Sequence, residues 1–120
     1  MDTNVVKLLS LRKEHGKVYV VEVEDFEGLD FEGLDAEKVE ELKNENTFKA
    51  ICKDPTFKVL GALEQFDKSG KTFDAINMVF NNCVIEASPE IYATDLYKAK
   101  VAGYIMSRAE RIKADSGKLN

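Results

Sequence analysis

KVYVVEVED (residues 17–25) and FKAIC (residues 48–52) are the two stretches on which the fold turns. In the first, Tyr19, Val21 and Val23 fall on one side of an extended chain, with Val18, Val20 and Glu22 on the other. Such two-residue alternation, rich in β-branched side chains, is the pattern of a strand. The Tyr19-Val21-Val23 side is expected to face the core. In the second stretch Phe48, Ala50 and Cys52 share a side and Ile51 points the other way. Everything after it carries helical spacing. The layout predicts an α+β domain: a small two-stranded antiparallel ribbon with about four to five helices and a helix-dominated C-terminal half.

Upstream of the first strand, Val5, Leu8, Leu9 and Arg12 follow helical spacing, so residues 4–15 are expected to form a helix capped by Thr3 and ended by Gly16. Between the strands, residues 26–30 and 31–35 are an exact tandem copy, FEGLD-FEGLD. The unit is too short for a repeat architecture. It reads as an acidic loop inserted at 25–46, followed by a short helix over 36–43 that Asp35 caps and that turns Val39 and Leu42 inward.

After the second strand, Asp54 and Pro55 predict a helix start, with Asp54 as cap and Pro55 at the first helical position. Val59, Leu60, Ala62, Leu63 and Phe66 form its expected inward stripe, and Ser69-Gly70 ends it. A further helix from Thr72 is expected to bury Phe73, Ile76, Val79, Phe80 and Cys83, fraying at Asn81-Asn82. Ser88-Pro89 predicts one turn of helix. From Thr94-Asp95 a long helix should run to about Ala114, with Val101, Ala102, Ile105, Ala109 and Ile112 inward. Residues 1–114 are thus expected as one domain, with a flexible tail at 115–120.

Composition narrows the functional class. A chain of 120 residues, 44% hydrophobic and 32% charged, is long enough to bury its own core. Its apolar runs are far shorter than a membrane span, and no leader pattern opens it, so no membrane partner is expected. A formal net charge of −5 argues against nucleic acid, whose binding depends on Lys and Arg neutralising phosphates. Cys52 and Cys83 lie in apolar patterns and are expected as buried free thiols.

The chemical motifs do not complete themselves. Ser69-Gly70-Lys71-Thr72 resembles the end of a phosphate-binding loop, but Gln65 stands where that loop requires its first glycine. Asp25, Glu27, Asp30, Glu32 and Asp35 crowd carboxylates into one loop without the spacing of a calcium site, so a solvated acidic loop is expected. His15 is the only histidine and sits at a helix C-terminus, where a positive charge is favourable. With one histidine and cysteines thirty-one residues apart, no zinc pattern forms. No catalytic residue, metal or cofactor is predicted, and the chain is expected not to be an enzyme. A carboxylate-based enzyme using the 25–35 loop is the alternative from that class.

Surface aromatics are the better lead. Tyr97 and Tyr104 lie seven residues apart on one side of the last helix, flanked by Lys100, Arg108 and Arg111. Tyr with Arg is the composition of a protein-binding hot spot. Tyr97, Tyr104 and Arg108, with Phe57 off the stripe of its own helix, are the candidate partner-binding residues. Self-association is a further possibility that the sequence leaves open.

Three segments carry a resemblance: LRKEHGKVYVVEVED (11–25), FKAICKDPTFKVLGAL (48–63) and INMVFNNCVIEASPEI (76–91). Together they resemble the tail assembly chaperone-like proteins of phages and prophages. The shared features are a Lys-rich helix ending in Gly and feeding a strand, a strand followed by a K-x-P-T helix start, and an N-N-C helix end before an acidic loop. The chain departs from that pattern at 25–46, where the FEGLD duplication and a helix replace a tight turn. It departs again at Glu86-Ala87-Ser88-Pro89, which lacks the glycine and additional acids. The resemblance implies a non-enzymatic protein of the infected bacterial host's cytoplasm. It would bind another phage structural protein, the tape measure protein or the tail tube protein. The alternative it leaves open is a virion structural component, such as a head–tail connector or a tube-associated protein.

Overall fold

A computed structural model of the chain describes residues 1–112. In order, these residues form α1 (Val5–His15), β1 (Val18–Glu24), α2 (Ala36–Glu45), β2 (Thr47–Lys53), α3 (Phe57–Ser69), α4 (Thr72–Cys83), β3 (Val84–Ala87), α5 (Pro89–Ala93) and α6 (Asp95–Arg111). The class is α+β, as expected. Two counts differ: the antiparallel sheet has three strands, ordered β1-β2-β3, and the described residues form six helices. α6 ends at Arg111, three residues before the expected end near Ala114, with Ile112 already extended; the tail at 115–120 lies outside the described residues.

β1 and β2 pair along their whole length, from Val18 opposite Lys53 to Glu24 opposite Thr47. The 25–46 segment therefore does not interrupt the hairpin; it forms its tip. The Asp25 N–H donates to the Asn46 carbonyl at 3.0 Å and closes the ladder. Each FEGLD copy makes the same tight turn: Leu29 N–H reaches Phe26 O at 3.1 Å and Leu34 N–H reaches Phe31 O at 3.2 Å. The third residue of each turn has positive φ, 82° at Gly28 and 77° at Gly33, which glycine alone adopts without strain. Both phenyl rings approach the Lys43 ammonium of α2, at 6.0 Å from Phe26 and 5.8 Å from Phe31. A duplicated sequence has become a duplicated turn with one shared contact.

β3 was not expected. Its four residues follow Cys83 with no breaker between, and four residues are too few for alternation to show. Docking against β2 creates it: Ala50 pairs Ala87, Ile51 pairs Glu86 and Cys52 pairs Val84, leaving Ile85 as the extra residue of a bulge. Ser88 extends the pairing, its N–H donating to Lys49 O at 2.9 Å while its hydroxyl accepts from Lys49 N–H at 3.1 Å.

The pleat gives the sheet two covered faces. Val21, Val23, Ala50 and Cys52 face the main core, where they meet Val79, Phe80 and Cys83 of α4, Ile91 of α5 and Val101, Ala102 and Ile105 of α6. Tyr19 and Phe48 pack at its margin. On the opposite face Val20, Ile51 and Glu86 lie in one row across the three strands. Ile51 is fully buried there, and the covering element is α1, which packs on β1 and sends Lys7 Nζ to Glu86 Oε1 at 2.8 Å. Val18, placed on the outward side of β1 by alternation, is buried on this second face.

Helix starts shift by one or two residues. Asn4, not Thr3, caps α1, accepting from Lys7 N–H at 2.9 Å. Thr56, not Asp54, caps α3, and Pro55 precedes the helix, because Asp54 is committed to Arg108. Asp35 caps α2 as expected, accepting from Lys38 N–H at 2.8 Å. Three stripe assignments also fail: Phe73 is 82% exposed, Ile112 55% and Leu60 41%. Helical spacing identifies a common face but not whether anything covers it. α3 has only one buried residue, Val59, and in the first turn of α4 Ala75 turns inward while Phe73 faces solvent.

Candidate functional site

The reactive groups of the chain are built into the interior. Cys52 and Cys83 are free and buried, and desolvation pushes their thiols up from 9.0 to about 12 and about 11. Neither is poised as a thiolate nucleophile or metal ligand at neutral pH. Among the described residues no group of three or more His, Cys, Asp or Glu side chains converges to hold a metal ion. Three carboxylates of the 25–35 loop have structural partners: Asp30 accepts from Glu32 N–H at 2.9 Å, Asp35 caps α2, and Asp25 accepts from the Tyr97 hydroxyl. Ser69-Gly70-Lys71-Thr72 is a helix-to-helix turn, with Gly70 left-handed at φ 70° closing α3. No described helix is long and apolar enough to cross a membrane.

Of the four candidate partner-binding residues, two are tied into the fold. The Tyr97 hydroxyl donates to the Asp25 carboxylate, which raises the tyrosine's pKa, and its ring stacks on Phe48 at 5.2 Å and 28°. Arg108 forks onto Asp54, with Nε at 2.9 Å from Oδ1 and Nη2 at 3.3 Å from Oδ2. That hydrogen-bonded pairing holds the guanidinium charged, and its carbon lies 4.7 Å above the Tyr19 ring. The two contacts fasten α6 to the end of β1 and to the end of β2. Tyr104 is more open; its ring sits 6.2 Å from Tyr19, with the Arg111 guanidinium 5.3 Å away. Phe57 stands apart from all three, at the first position of α3 and 93% exposed.

These placements define two grooves. The larger, about 630 Å³, runs between β1 and α6; Val21, Val23, Leu96, Tyr97 and Tyr104 line it together with Lys100 and the acidic Glu22, Glu24, Asp25 and Glu27. The second, about 260 Å³, lies between α3 and α6. Pro55, Leu60, Leu63, Met106 and Ala109 form its walls, and Asp67 and Glu110 complete its lining. Phe57 precedes Leu60 by one helical turn, so it extends the same apolar surface outward. No family model, curated protein or solved structure matches this chain.

The surface carries more apolar area than the sequence reading anticipated. Phe73 shares a small cleft with Ile76 and Ala99, and Val5, Val6 and Leu9 on α1 face solvent. Periodicity places Leu60 and Phe73 inward, and Met106 carries no signal. The usable clue was the mismatch at Phe57, an aromatic residue outside its own helix's stripe. Large exposed aromatics of this kind mark interaction surfaces more often than isolated aliphatic residues do.

Proposed function

We propose that this protein is a non-enzymatic binding protein that assists phage tail assembly by covering apolar helical segments of the tape measure protein. The observation that carries the reading is the apolar surface made by Phe57, Leu60 and Met106 at the groove between α3 and α6. An amphipathic helix docks by inserting side chains at i, i+3, i+4 and i+7 into such a groove. Long apolar helices aggregate when left bare in water, so a partner that covers them reversibly keeps them available for assembly. The net charge of −5 supports this role, because many copies on one filament stay mutually repelled and soluble. The place of action is the cytoplasm of the bacterial host, where tails assemble.

The test is co-expression with the tape measure protein of the same phage, reading the fraction of that protein recovered soluble. Wild type should keep it soluble, and the Phe57→Ser, Leu60→Ser double variant should not. Equal recovery with wild type, with the variant and with no partner would refute the reading. A chaperone should also be absent from purified particles. Stoichiometric presence there would favour a virion structural component, such as a connector or tube-associated protein, instead.

A further inference from the structure

The outer edge of β1 is open. β1 is the terminal strand of the sheet, its seven residues pair with β2 on one side only, and no strand occupies the other side among the described residues. Proteins usually blunt such an edge with proline, a bulge, a short strand or a covering element. β1 has no proline, pairs without a bulge and is as long as β2, and a groove of about 630 Å³ runs beside it under α6. Among the described residues, the charges at Glu22 and Glu24 are what protects it.

We infer that this edge and groove form a docking site for an extended peptide in which basic and apolar residues alternate, added as a fourth strand beside β1. The peptide backbone would take up the free N–H and C=O groups of the edge. Side chains on the core-facing side of the added strand would enter the groove against Leu96 and Tyr104, both exposed. Side chains on the other side would lie next to Glu22 and Glu24, whose strand positions alternate with Val21 and Val23. Cross-strand and diagonal neighbours of opposite charge stabilise a pairing and like charges oppose it. Glu22 has only a loose contact with Lys49 at 3.9 Å, and Glu24 has no ion pair among the described residues. Leu96 and Tyr104, exposed on the α6 wall, favour apolar side chains on the core-facing side and so set the phase of the alternation.

The same charges argue against a second copy of this chain as the occupant. In an antiparallel pairing centred on Val21, Glu22 or Val23, the two Glu22 side chains fall opposite or diagonal to one another, on two molecules each carrying −5. The site uses a different surface from the α3–α6 groove and a different peptide conformation, so it stands independently of the proposed function.

The experiment uses the full chain and an end-blocked eight-residue peptide alternating Lys and Val. Binding is read by calorimetry and by hydrogen exchange at β1 amides. The expected result is saturable binding, slowed exchange across residues 18–24, and at least a tenfold affinity loss in Glu22→Lys, Glu24→Lys. A peptide of the same composition with its lysines and valines in two blocks should also bind at least tenfold more weakly. Phe57→Ser should leave the interaction unchanged, which separates this site from the helix-binding surface. Equal binding of alternating and blocked peptides, binding without protection of β1, no binding, or β1 protection caused by self-association would each overturn the inference.

Discussion

Tyr19 shows how much one side chain can be asked to do at the margin of a core. Its ring supports the Arg108 guanidinium and lies beside Tyr104, while its hydroxyl is buried and meets no hydrogen-bond partner among the described residues. Burial accordingly pushes the phenol's pKa up, with Asp54 adding to the effect. An unpaired buried hydroxyl costs stability that its ring does not need. Tyr19→Phe is therefore expected to raise unfolding stability by about 1 kcal/mol in urea titrations. Stability lost in that variant would mean that the hydroxyl has a partner. The buried thiols make a second prediction at this scale. In the folded chain Cys52 and Cys83 keep their protons to about pH 12 and 11, whereas an exposed thiol loses its proton near 9.0. The native state thus holds protons that the unfolded state has released, so stability must fall as pH rises through that window. Urea midpoints should hold level up to about pH 8.5 and then decline steadily toward pH 11. A midpoint that stays level to pH 11 would contradict the burial of these thiols.

Among the elements, the hairpin tip separates what residues dictate locally from what they do not. Each FEGLD unit specifies its own turn through a glycine with positive φ, and Asp35 specifies the start of α2, so these features can be read from neighbours in sequence. β1, β2, α4 and α6 were legible for the same reason, since alternation or helical spacing persists over seven or more residues. β3 was not, because four residues acquire strand conformation only by pairing with β2 across the fold. The caps of α1 and α3 moved because several side chains near each start could serve, and tertiary contacts chose between them; Arg108 claims Asp54 and leaves Thr56 to cap α3. Exposure of Phe73 was equally out of reach, since spacing names a face but not its neighbour, whereas Phe57 stood out in the sequence by lying off the stripe of its own helix. The tip makes its own prediction. Deleting residues 26–30 keeps one intact turn and the Asp35 cap, and shortening a closed loop by five residues changes its closure entropy by only a few tenths of a kcal/mol. The deleted chain should keep its circular dichroism spectrum and lose no more than about 1 kcal/mol. Loss of the β1–β2 pairing would show that both turns are needed to set the register.

As a whole, the molecule is extended for its length. Its radius of gyration is 17.3 Å, against roughly 14 Å for a compact domain of this size. α1 and α2 have no buried residue and α3 has just one, Val59. Stability and exposed apolar surface should therefore separate cleanly under mutation. Ile105→Ala, at a fully buried position of α6, should cost about 3 kcal/mol, because it leaves a cavity in the main core. Phe57→Ser and Phe73→Ser should each change stability by less than about 0.5 kcal/mol. If either exposed phenylalanine proves as costly as Ile105, it is structural and the interaction surface has been misplaced. We propose that the surface of Phe57, Leu60 and Met106 holds another polypeptide. The most direct test is an NMR titration of the purified protein with an apolar helical segment of the tape measure protein. The account predicts shifts concentrated at Leu60, Leu63, Met106 and Ala109, and binding weakened about tenfold or more in Phe57→Ser, Leu60→Ser. A spectrum unmoved by the peptide, or binding that survives the double substitution undiminished, would contradict it.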